Sequence, residues 1–234
     1  MRIVSVAEKL AYSSLLLPLL AVLSVRLGLS HFRLGLAAFV VGLILALIAI
    51  TISAVFSRRC DETQRKKLNR AAFVSLPVVL AFSVNFFAAQ GSPAIHEVST
   101  DVSHPPEFKW ATTARGPDDN AFDLSPAVIQ QQQQYYPDLR SIKLPLPKSE
   151  AQTLAVDAAE ALGWEVKYQQ DGHVEATVTS LWFGFVDDVV IRIQATAGGS
   201  KIDLRSSSRV GRGDLGANAR RVTQFIELIE NHLK

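Results

Sequence analysis

Long apolar stretches open this chain at residues 10–29, 34–56 and 71–89, and shorter periodic patterns take over only toward its C-terminal end. Each stretch is close to the ~17–25 residues a helix needs to cross a bilayer. The pattern predicts an integral membrane protein, with an anchor over residues 1–90 and one polar domain after it. The first stretch is the weakest, because Pro18 sits near its middle and Arg26 interrupts its end. Arg2 and Lys9 also fit the basic region of a secretory signal. No small-residue cleavage site follows at the right distance and more spans do, so a retained helix is expected.

Residues 91–147 read as extended chain, a Pro-rich segment packed on the domain through Phe108, Trp110, Phe122, Tyr135 and Tyr136. Its prolines remove backbone donors and turn the preceding residues away from helix. The run Gln130 to Gln134 reads as a helical turn or as local low complexity.

The clearest periodicity lies in residues 148–234. Ser149 and Gln152 have capping-box spacing, Leu154, Ala155, Ala158, Ala161 and Leu162 recur at helical spacing, and Gly163 stands at the stop position. Trp164, Val166 and Tyr168 then alternate with polar residues, as do Val174, Ala176 and Val178. A three-residue loop, Gln170-Asp171-Gly172, keeps both apolar sets on one face, whereas a two-residue Asp-Gly turn sets apolar against polar and is rejected on register. Val189, Ile191 and Ile193 form a third strand, and Ile202 and Leu204 a fourth, across a turn at Gly198 and Gly199. Val222, Phe225, Ile226, Ile229 and Leu233 make the stripe of a last amphipathic helix. The expected class is α+β: a four-stranded antiparallel sheet with one apolar face under two helices and one polar face. This order is similar to that of helix-grip domains, such as those in a lipoprotein of the outer-membrane barrel assembly machinery; the likeness is one of topology and carries no function.

Charge orients the anchor. The loop between the second and third stretches carries Arg58, Arg59, Arg65, Lys66, Lys67 and Arg70 against Asp61 and Glu62. Short loops rich in Lys and Arg stay in the cytoplasm. Two spans separate this loop from the N-terminus, so both are expected inside, and three spans place the C-terminal domain outside. That means the periplasm, if the cell is Gram-negative. The one cysteine, Cys60, falls on the Arg-rich loop, so the exported part holds no disulfide. The net charge of +2 sums two compartments and gives no reason to expect nucleic acid as a partner. No span holds an ionisable residue in its interior, which argues for anchoring over transport. Ala38, Gly42 and Ala46 form a small-residue stripe on which a neighbouring helix could pack closely.

Three constellations could carry chemistry. Residues 205–216 bring Arg205, Arg209, Gly211 and Arg212 together ahead of the last helix, a pattern suited to an anionic ligand or lipid headgroup. The competing reading makes Asp214 a helix cap and pairs the arginines with Asp187, Asp188 or Asp203. The pattern lacks the Gly-Lys-Ser/Thr ending of a P-loop. Glu175, Asp187, Asp188 and Arg192 could serve acid–base work or hold a cation, but adjacent residues of a strand face opposite ways, so pairing of Asp188 with Arg209 or Arg205 is the simpler expectation. His96, Asp101 and His104 contain ligand types without a metal motif's spacing, and no cofactor is expected.

The runs Pro93-Ala94-Ile95-His96-Glu97-Val98-Ser99-Thr100-Asp101, Pro105-Pro106-Glu107-Phe108 and Tyr136-Pro137-Asp138-Leu139 resemble the family called domain of unknown function 1499. So do the strand over residues 185–192 and the run over 203–211. The resemblance spans about residues 95–229. It implies no activity, but it implies that the Pro-rich segment belongs to the domain, and it draws interest to Asp101, Asp187, Asp188, Arg192, Arg205, Arg209 and Gly211. The chain is therefore expected to be an envelope protein, with no reaction assigned to it, that binds an anionic ligand, a lipid headgroup or a protein partner. The alternatives are a cation-dependent hydrolase using Asp187, Asp188 or Glu175, and an accessory subunit of a larger membrane complex.

Overall fold

The computed structural model describes residues 2–232, so Leu233 of the last predicted stripe lies outside the described residues. The chain divides into two units. The first holds the residues up to Ala88 with Leu181–Gly184, and the second holds Ala89–Ser180 with Phe185 onward.

In the first unit all three apolar stretches are single helices: α1 (Arg2–Arg26), α2 (Phe32–Phe56) and α3 (Glu62–Gln90). All three are long and apolar enough to cross a membrane. α1 starts eight residues before the predicted span, and Glu8 near its start bonds Arg70 near the start of α3 at 2.8 Å. α1 and α2 meet along small residues. α2 buries Gly35, Gly42, Ala46, Ala49 and Ser53, and α1 buries Val4, Ala7, Ala11, Ser14 and Pro18. A Cβ on Gly42 would stand 2.7 Å from Pro18 Cγ, so only glycine permits this approach. Gly42 and Ala46 of the predicted stripe therefore pack inside the anchor.

The second unit is α+β. β3 (Glu165–Gln170), β4 (His173–Thr179), β5 (Val186–Thr196) and β6 (Gly199–Ser208) form the predicted antiparallel meander between α6 (Lys148–Ala161) and α7 (Ala217–His232). The Pro-rich segment adds what alternation did not reveal. Its short strands β1 (Glu97–Ser99) and β2 (Ile142–Leu144) pair in succession along the outer edge of β6. It also contains the helices α4 (Trp110–Ala114) and α5 (Pro126–Tyr135), so it is less extended than its prolines suggest. Pro126 opens α5, where a missing N–H costs nothing. Tyr135 is exposed, while Tyr136 packs against the main core.

That core lies between the sheet and α6 with α7. Val174, Ile191 and Leu204 form one cross-strand row, and Trp164 stacks on Phe225 at 5.3 Å. The opposite face is polar as expected, yet it is not open to water. Phe108, Ala111 and Val190 form a second, smaller core there, packed by Trp110 and Phe122.

Two local expectations fail for identifiable reasons. The β3–β4 turn is the rejected two-residue Asp171-Gly172 connection, with Gln170 paired to His173. A bulge between Val166 and Tyr168 restores the register, placing Val166 opposite Ala176 but Tyr168 opposite Glu175. Tyr168 thus joins the polar face, edge-on to His173. The capping box does not form either: Pro147 precedes α6, and the Gln152 side chain accepts from Gly172 N–H and donates to Gln170 O. Gly163, with φ +75°, ends α6 where predicted.

One glutamine of the Gln run serves the sheet. Gln132 is buried on α5, accepts from Ser99 N–H at 2.9 Å and donates to Ser99 C=O at 2.7 Å. It completes the edge strand as a neighbouring strand would. Gln132→Ala strips both groups of their partner at roughly 1–3 kcal/mol each. Thermal unfolding of the full chain in detergent should show this loss, with the exposed Gln133→Ala as a near-silent control.

Candidate functional site

The polar face of the sheet gathers most of the residues that looked like chemistry. Cross-strand rows set His173, Arg192 and Asp203 side by side, then Glu175, Val190 and Arg205, then Thr177, Asp188 and Ser207. Alternation dictates the composition of these rows, since the intervening residues fill the apolar core. The outcome is a layer of fully buried carboxylates, with Glu97, Glu175, Asp188 and Asp203 each at 0 % exposure. Buried charges persist only when paired and hydrogen-bonded.

Each of them is paired. Asp188 takes Arg115 Nε at 2.8 Å on one oxygen, and Arg209 bridges both of its oxygens at 2.7 and 3.0 Å. Arg209 is held above its ordinary value by its bond to Asp188, which outweighs burial. Arg115 also donates to Asn120 O and Ser207 O and lies 3.8 Å from the Phe122 ring centroid. Glu97 pairs with Arg205, whose Nη1 donates to Pro106 O, and Glu97 also accepts from Asp123 N–H at 2.9 Å. Asp203 receives Arg192 at 2.7 Å and Lys201 at 3.1 Å, and both cations also reach Asp101 at 3.1 Å. Ser141 Oγ donates to Asp203 as well.

Glu175 is the most heavily bonded acid. It accepts from the backbone N–H of Lys109, Trp110 and Ala111 at 2.6, 2.9 and 2.9 Å, and His173 Nε2 lies 2.7 Å away. Burial pushes its carboxyl up, but His173 and the three amides outweigh burial and hold it below the usual range. A carboxylate from β4 thereby caps the first turn of α4.

Asp187 faces the other way, as strand geometry requires. Its carboxylate meets Arg221 of α7 at 2.6 Å, and burial raises its proton affinity despite that partner. Asp187, Asp188 and Glu175 therefore sit in separate clusters, each with its own partners, and do not converge on a common point. At the β6–α7 corner Asp214 accepts from Gly216 and Asn218 N–H at 2.8 and 2.7 Å, so a protein carboxylate already fills the start of α7. Gly216, with φ +76°, sits where a Cβ would meet Tyr136 Oη and Arg220 Nη1 at 3.0 Å. Asn120 braces Gly211 through its carbonyl at 2.8 Å. Arg212 stays exposed on this corner.

His96, Asp101 and His104 do not assemble. His96 approaches Ala121 O at 3.3 Å, and Asp101 serves Arg192, Lys201 and the His104 backbone. Among the described residues no group of three or more His, Cys, Asp or Glu side chains is arranged to hold a metal ion. Two clefts, of about 490 and 660 Å³, lie in the helical unit around Glu8 with Arg70 and around Cys60 with Arg65, and no predicted site residue lines either.

Several decisive residues were singled out for no role by the sequence: Glu97, Arg115, Lys201, Asn120 and Arg221. The signal that could have found Arg115 is indirect. Acids predicted on a strand face that becomes buried need cations, and Arg115 lies between Trp110 and Phe122 in the segment that covers them. Removing an acid tests this layer. Asp188→Ala leaves Arg115 and Arg209 buried without their counter-charge, at about 3–5 kcal/mol. Denaturant unfolding should register that loss, against a change within about 0.5 kcal/mol for the exposed Asp118→Ala.

No curated protein matches this chain. The family described as Protein of unknown function (DUF1499) matches residues 97–229, more than half of the chain and nearly all of the second unit, and the chain belongs to that family.

Proposed function

We propose that this is a bacterial inner-membrane protein whose three helices display a non-catalytic binding domain on the periplasmic side, where the β6–α7 corner contacts the anionic headgroup of a lipid. The observation that carries the reading is the contrast between Arg212 and the other arginines of the corner. Arg205 and Arg209 are held by buried acids, while Arg212 is exposed. The corner also lies beside the start of the domain: Asp214 N–H donates to Ile95 O, and a Cβ on Gly213 would meet Ala94. Only a few residues separate Ile95 from Gln90, the end of α3. At ~3.3–3.6 Å per extended residue, that tether cannot carry the corner far from the bilayer. A lipid headgroup is therefore favoured over a free anion or a protein partner. The hydrolase alternative is disfavoured, because its three acids are dispersed among separate cation and amide partners.

Orientation rests on the Arg-rich loop, and Cys60 makes it testable. A membrane-impermeant maleimide should leave Cys60 unlabelled in intact spheroplasts and label it after lysis. Gln194→Cys, in a Cys60→Ser chain, should label in both. Labelling of Cys60 from outside would reverse the topology.

The headgroup contact is read by native mass spectrometry of the full chain released from detergent with phosphatidylglycerol present. A basic residue near an anionic surface contributes about 1 kcal/mol, so Arg212→Ala should lower phosphatidylglycerol occupancy about fivefold. Equal occupancy in the two chains would remove the corner as the site.

A further inference from the structure

The loop between β4 and β5 reads Ser180-Leu181-Trp182-Phe183-Gly184-Phe185, an apolar run at a hairpin tip. Beyond α3, the exposed large apolar side chains among the described residues are Tyr135, Leu181, Trp182 and Leu228. Leu181 and Trp182 are the extreme cases at 79 % and 61 % exposure, and they are adjacent. A soluble surface normally scatters such residues singly and less exposed. The loop is also firmly built. Ser180 N–H donates to Phe185 O at 2.7 Å, Phe185 N–H donates back to Ser180 Oγ at 2.9 Å, and Gly184 takes φ +69°. These bonds hold the pair at the tip.

Two independent observations say what covers it. The first is the sheet end from which the loop springs. Thr179 pairs with Val186, Asp187 with Ser208, and Ser208 N–H donates to His96 O. The β4–β5 loop thus leaves the same end of the sheet at which the chain arrives from α3, while the Asp171-Gly172 and Ala197-Gly198 turns occupy the far end. The second lies within the first unit, to which Leu181–Gly184 belong. There the Phe183 ring lies 5.5 Å from that of Phe39, and Phe183 fills the space beside Gly35. The span Phe32–Arg59 has 28 residues. It is therefore about 42 Å long against a hydrocarbon core of ~30 Å. If it is centred, its first ~6 Å lie in the headgroup layer, and Phe39, about 10 Å along, lies just inside the hydrocarbon boundary. Leu34, Leu36 and Val40 of the same helix are exposed and apolar, so the loop tip continues a surface that faces lipid acyl chains.

We propose that Leu181 and Trp182 insert into the boundary between headgroups and acyl chains of the bilayer, as a fixed membrane contact supplied by the domain in addition to the three spans. Tryptophan suits this depth, because its ring is apolar and its indole N–H finds a partner among the headgroups. The proposal rests on reading the helices as spans, and it does not require the Arg212 contact.

Depth-dependent quenching tests it on the full chain. Leu181→Cys and, separately, Trp182→Cys are placed in a Cys60→Ser chain, labelled with the environment-sensitive fluorophore NBD and reconstituted in phosphatidylcholine vesicles. Ala197→Cys at the far end of the sheet serves as reference. The expected result is blue-shifted emission at 181 and 182, several-fold stronger quenching by nitroxides near the headgroup than at 197, and protection from aqueous iodide. Iodide quenching at 181 and 182 equal to that at 197 would overturn the insertion. Because the vesicles are zwitterionic, that outcome would leave the phosphatidylglycerol result at Arg212 unaffected.

Discussion

The domain depends on neutralising four carboxylates that its own strands bury. Alternation sends Glu175, Asp188 and Asp203 to the sheet face away from α6 and α7, and Glu97 joins them from the edge strand. Left bare, that face would need water. Covered, it needs cations and amides from whatever covers it. The Pro-rich segment supplies them at several points: the amides of residues 109–111 to Glu175, Arg115 to Asp188, the Asp123 amide to Glu97 and Ser141 to Asp203. Strand arginines supply the remainder. The segment stays ordered despite its prolines because it satisfies bonds that the sheet cannot satisfy alone. Removing an acid would loosen the strap as well as the strand that carries it.

The helical unit works on a different balance. Helices this long and apolar have no hydrophobic drive to associate if they lie within lipid, so close packing must hold them. Gly42 lets Pro18 approach, and the small side chains on either side of it continue the seam. Proline is tolerated inside α1 because its ring fills a gap left by a glycine. The stripe on α2 that could have received a partner's helix is used by the chain's own first helix. An accessory-subunit role would therefore have to draw on another surface.

The sequence was legible wherever one residue's environment is set by its own periodicity. The three spans, the β5–β6 hairpin, the stripe of α7 and the opposed directions of Asp187 and Asp188 all follow from local spacing. It was not legible where a distant segment decides the outcome. The bulge at Val166 and Tyr168 reverses a register argument that holds for a regular strand. Gln152 leaves its helix start because the Gly172 amide offers a buried bond. Arg115 and Gln132 look like ordinary loop residues until the strands they serve are known. Of the candidate site, the pairing of Arg209 with Asp188 was accessible from strand register, whereas the partners of Glu97 and Glu175 lie across long sequence separations.

This division bears on where function can reside. A buried, charge-matched layer is costly to disturb, and its acids are engaged by cations and amides, so it suits fixing a shape better than turning over a substrate. What the layer fixes is one end of the sheet, where β4 ends, β5 begins and the Arg212 corner meets Ile95. Asp188 ties Arg209 at the base of that corner, and Asp187 ties Arg221 of α7 beneath it. Val186 precedes Asp187 at the start of β5, and Phe185 before it closes the apolar loop. Within the second unit the buried acids and the exposed Arg212 are thus linked: the acids hold the backbone from which Arg212 projects.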